Sequence, residues 1–64
     1  MNIDKLSYIK MLENLVKDYD PDYASTTNWE LQAQIADEIN AVIQKIGGKE
    51  GRKLFEYFLK ERNQ

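Results

Sequence analysis

Asp18, Asp20 and Asp22 alternate across Tyr19 and Pro21, and Glu30 follows further along. Alternating carboxylates between two helices are the raw material of a calcium loop, whose ligands stand at loop positions 1, 3, 5 and 12 around a glycine at 6. The match fails at three places. The fourth position is Pro21, the sixth is Tyr23 where the sharp turn needs glycine, and the twelfth is Trp29, with Glu30 one place late. The stretch reads as an acidic, solvated connection, and no metal or cofactor is expected.

A second constellation is basic. Lys45, Lys49, Arg52 and Lys53 crowd around Gly47 and Gly48, ahead of a third apolar segment. Free amides at a helix start with bases nearby suit an anion or a phosphate. The order Gly-Gly-Lys-Glu-Gly-Arg-Lys has neither the spacing nor the preceding strand of a phosphate-binding loop. As a helix-turn-helix it would place an unusually long helix first. Contact with nucleic acid through these four residues is the alternative reading of the chain, not the leading one.

Catalysis has little to draw on. The sequence holds no histidine and no cysteine, so it lacks a side chain that titrates near neutrality, a thiol nucleophile and the usual zinc ligands. Ser7, Ser25, Thr26 and Thr27 have no partner base nearby in sequence. Asp37 and Glu38 are neighbours that diverge on a helix. The expectation is a protein that is not an enzyme.

Aromatic and apolar side chains remain. Tyrosine and tryptophan join a large apolar area to a polar tip, which makes them common interface anchors. Tyr19 and Trp29 flank the connection and are expected to lie across the open end of the core. Tyr23, Tyr57 and Leu6 are the candidates for contact with a partner: Tyr57 and Leu6 fall on the polar sides of their helices. Gln32 sits inside an apolar arc close to a helix start, where its amide is expected to reach water.

These residues need elements to hold them, and the longest is the segment from Trp29 to Ile46. Leu31, Ile35, Ile39, Val42 and Ile46 recur at the period of one helix face, with Ile43, Ala36 and Trp29 beside them. An arc that wide can cover two neighbours. Thr27-Asn-Trp-Glu30 reads as a capping box at its start, and Gly47 supplies a left-handed residue at its end. The first helix spans about 4–18. Asn2 or Asp4 caps it, and Tyr8, Ile9, Leu12, Leu15, Val16 and Tyr19 share one face. If Asp4 is the cap, Ile3 and Tyr8 form a hydrophobic staple. The third spans about 49–62, with Leu54, Phe55 and Phe58 inward, Leu59 at the edge and Gly51 allowing close approach. The predicted fold is all-α: one small three-helix bundle with helices at about 4–18, 28–46 and 49–62.

With 64 residues, such a domain buries a small core and relies on regular helix packing, on self-association, or on both. Its formal charge is −2, with residues 1–46 at −4 and residues 47–64 at +2. An acidic body argues against non-specific binding to nucleic acid or to a membrane surface. No run approaches the ~18 apolar residues of a membrane span, and no signal peptide is apparent, so the expected location is cytoplasmic. The sequence therefore points to a binding or regulatory module whose partner is another protein or itself, a homodimer being the form self-association is expected to take.

Overall fold

The computed structural model describes residues 4–23 and 27–62, which form three helices: α1 (Lys5–Asp18), α2 (Trp29–Ile46) and α3 (Gly48–Arg62). All three pairs of helices touch. Polar contacts at the two ends fix their directions. The Lys5 ammonium at the start of α1 meets the Glu50 carboxylate at the start of α3, 2.7 Å away. Arg62 at the end of α3 reaches the end of α1. Gln32 near the start of α2 also meets the end of α1. Hence α1 and α3 run parallel and α2 runs opposite to both.

The core follows the apolar spacing. Leu12 and Val16 of α1 are enclosed by Ile39, Val42, Ile43 and Ile46 of α2, and Leu54, Phe55, Phe58 and Leu59 of α3 close the third side. The inward row of α2 begins at Ile35, however. Leu31 is 57% exposed, because α1 has ended where α2 begins, and Gln32 rather than Leu31 faces that end. Trp29 is 54% exposed. Tyr19 alone of the expected pair lies against the core, its ring tilted against that of Phe55 with centroids 5.8 Å apart.

Asp4 caps α1, its Oδ1 accepting the Ser7 amide at 2.9 Å; Ile3 of the expected staple lies outside the described residues. The Ser7 amide, then the Ser7 hydroxyl, hold the Asp4 carboxyl below its ordinary value of 3.8. A carboxyl whose folded pKa is depressed stabilises the fold fully above its unfolded value, and that contribution is lost as pH falls through the folded one. Asparagine caps equally well without titrating. Thermal melts between pH 6 and pH 3 are therefore expected to show a smaller drop in Tm for Asp4→Asn than for the parent.

The capping box expected at α2 does not form. Asn28 is the N-cap and makes no side-chain cap bond. With the helix starting at Trp29, Thr27 stands one place too early and Glu30 one too early for their reciprocal bonds. At the other end Gly47 does take positive φ, at 125°, but with ψ at 118° it lies outside the left-handed helical region. Its amide donates to the Ile43 carbonyl at 3.0 Å, and its own carbonyl accepts the Gly51 amide at 2.7 Å. Gly47 thus closes α2 and opens α3, which begins at Gly48 rather than Lys49.

Gln32 does not simply reach water. Its amide nitrogen donates to the Asp18 carbonyl at 3.0 Å, and its oxygen accepts the Asp20 amide at 2.7 Å. Arg62 donates to the carbonyls of Val16 and Tyr19. Helix carbonyls at a C-terminus lack intrahelical partners and carry partial negative charge, so an amide and a guanidinium both suit them. Gln32→Leu would leave two backbone groups without their partner. Its expected cost is about 1–2 kcal/mol, read as a lower midpoint in a urea titration with an unchanged slope.

Candidate functional site

An open apolar groove of about 530 Å³ lies between α1 and α2, on the side away from α3. Tyr8, Met11 and Leu15 line it from α1, one helix turn apart. Ala41 and Val42 line it from α2. Ala41 is the reason a trough exists there: a methyl group stands where a larger side chain would fill the seam. Glu38 and Lys45 lie one heptad apart on α2 and bound the groove in sequence on either side of Ala41 and Val42. Both are exposed, and neither has an ion-pair partner among the described residues. Leu31 falls on the same stripe of α2, one further heptad toward its start.

The partner-contact residues singled out from sequence lie on or beside α1 and on α3, outside this groove. Leu6 is 61% exposed in the first turns of α1, whereas Tyr23 follows the other end of that helix, roughly 20 Å along the axis. Tyr23 is half-buried and its ring lies tilted against that of Tyr19, centroids 6.4 Å apart, which extends the line of rings from Phe55. Tyr57 is 57% exposed, its ring edge-on to Phe58 at 5.7 Å. The nearby Glu61 carboxylate first, then loss of solvent and more distantly Glu13, hold the Tyr57 phenol above its ordinary value. Leu6 and Tyr23 therefore stand at opposite ends of α1, and Tyr57 stands on α3.

The four bases divide between α2 and α3. Lys45 lines the groove between α1 and α2, while Arg52 lines a smaller cleft between α2 and α3 with Asn40 and Phe55. Lys49 and Lys53 stand exposed one turn apart on α3. Lys49, Arg52 and Lys53 stand at i, i+3 and i+4 on α3 and so share one face of that helix, apart from Lys45. Among the acids, Asp20 turns its carboxylate back on the Asp22 amide at 2.9 Å, a local turn bond typical of aspartate. Among the described residues, no three His, Cys, Asp or Glu side chains gather to hold a metal ion.

No family model, curated protein or solved structure matches this chain. Nor is any described helix long and apolar enough to cross a membrane. The groove was the feature that sequence reasoning missed. Met11 and Ala41 carried the signal: an apolar residue at the edge of the α1 face, and a small one opposite it on α2.

Proposed function

We propose that the chain is a non-enzymatic helical binding module of the cytoplasm, acting on another protein chain through the groove between α1 and α2. The observation behind this reading is the groove's make-up: five apolar or aromatic residues, open to solvent, bounded on α2 by two unpaired charges of opposite sign. Apolar patches rimmed by charge are characteristic of protein interfaces. The open trough presents itself to a helix or a second flat face rather than enclosing a small molecule. The groove is lined mainly by apolar residues and carries only Lys45 of the four bases, which favours protein over nucleic acid as its occupant.

A photo-crosslinking residue placed at Met11, compared with one at the exposed Glu56 of α3, tests the reading in the native cells. Discrete adducts from position 11 and none from position 56 are expected. Equal labelling from both, or none from either, would overturn it.

A further inference from the structure

We infer that the occupant of the groove is a second copy of this chain, related by a two-fold axis that passes beside Met11 and Ala41. This rests on the reading of the groove as an interaction face and adds the identity of the partner.

The inference comes from the placement of Glu38 and Lys45. They lie one heptad apart on the same stripe of α2, and the midpoint between them falls at Ala41 and Val42. In a dimer whose two-fold axis runs across the helices, each α2 meets its copy antiparallel, and any contact between two different positions occurs twice. Centring the axis on that midpoint places Glu38 of each protomer opposite the partner's Lys45. The stripe is thus its own electrostatic complement. Other registers lose this property. A parallel arrangement opposes Glu38 to Glu38 and Lys45 to Lys45, and an axis centred on Glu38 brings two glutamates together.

Steric factors select the same register. Ala41 is the smallest side chain of the groove and would sit at the crossing point, where close approach of two helices is needed. Met11 lies across from it on α1, an unbranched and adaptable side chain suited to filling the remaining gap. Both charges are exposed and without intrachain ion partners among the described residues, so pairing them breaks no existing bond. A two-helix face about 20 Å across is at the small end of stable interfaces. The dimer is accordingly weak and concentration-dependent, with dissociation in the micromolar range.

Sedimentation equilibrium from about 10 µM to about 1 mM, an interval that brackets such a constant, tests it with charge reversals that leave the core untouched. The parent is expected to dimerise with increasing concentration. Glu38→Lys alone opposes lysine to lysine twice, and Lys45→Glu alone opposes glutamate to glutamate twice. Each is expected to weaken association by roughly tenfold or more. An equimolar mixture of the two variants restores both attractive pairs, as does the double variant within one chain, and both are expected to recover dimer. Circular dichroism confirms that each variant remains helical.

A parent that stays monomeric throughout overturns the inference, as does a mixture that fails to recover what the single reversals lose. Single reversals that associate as the parent does also overturn it. The crosslinking at Met11 separates this failure from the failure of the wider reading. Adducts larger than twice the chain, formed by a monomeric protein, leave the groove an interaction face and remove only the second copy as its occupant. Absence of any adduct from position 11 removes both.

Discussion

Leu12→Ala is expected to leave the domain largely unfolded at room temperature. Leu12 is fully enclosed, at 0% exposure, and it stands where the apolar faces of all three helices converge. Removing a buried leucine side chain to the β-carbon costs about 2–5 kcal/mol, the upper values applying where neighbours cannot collapse into the space. Here the neighbours are the β-branched Val16, Ile39, Val42 and Ile43, which have few rotamers with which to respond. A domain of this length has a total stability of only about 3–10 kcal/mol. One substitution thus consumes much or all of it. Far-ultraviolet circular dichroism should show loss of helix or a melting temperature lower by more than ~15 °C. Leu6→Ala, at an exposed site on the same helix, is expected to shift stability by less than about 0.5 kcal/mol. Equal effects from the two would place the core elsewhere.

The second large effect is expected at Gly51. A β-carbon there would lie 2.6 Å from the Ile43 carbonyl oxygen and 2.9 Å from its Cα. These are backbone atoms, so no rotamer change relieves the clash; α2 and α3 must move apart. Gly47, four residues back, ties the two helices together through bonds to Ile43 and Gly51 themselves, and this leaves little room to yield. Overpacking typically costs 1–3 kcal/mol, and the clash with backbone puts Gly51→Ala at about 3 kcal/mol before the helix-propensity gain of about 1 kcal/mol is returned. The net drop in melting temperature should be about 10 °C. Gly48 is the control: an added β-carbon there meets nothing within 4 Å, so Gly48→Ala is expected to be neutral or slightly stabilising. A stable Gly51→Ala protein would mean that α2 and α3 are not held this close.

Those two positions show why the sequence was informative about some features and silent about others. Leu12 and Gly51 could both be assigned without coordinates, because helical periodicity places a residue on a face and a glycine among apolar neighbours signals close approach. The number, direction of packing and approximate limits of the helices follow from the same periodicity. Leu31, Trp29 and Gln32 were misplaced for a different reason. A helical wheel gives the angle of a residue around its axis, but not whether the neighbouring helix extends far enough to cover it. At the start of α2 the neighbour has just ended, so an inward-facing glutamine finds carbonyls while the leucine beside it finds solvent. The candidate site was less legible still. Tyr23, Tyr57 and Leu6 were chosen one at a time as exposed apolar area, whereas a groove is a property of two helices together, and Lys45 belongs to it rather than to the basic turn.

The single-residue link at Gly47 has a further consequence for how freely the parts of the bundle can be arranged. It makes α2 and α3 a preset elbow, with their relative placement imposed by the covalent chain. Ten residues of sequence, 19–28, separate α1 from that elbow, so the covalent chain sets the placement of α1 far less than that of α3. Gln32 and Arg62 both grip the C-terminal end of α1, which is the joint that connectivity governs least. An object bridging α1 and α2 across their groove would add a third restraint at that same joint, so its binding should be felt chiefly as a stiffening of α1 against a pair of helices already fixed to each other.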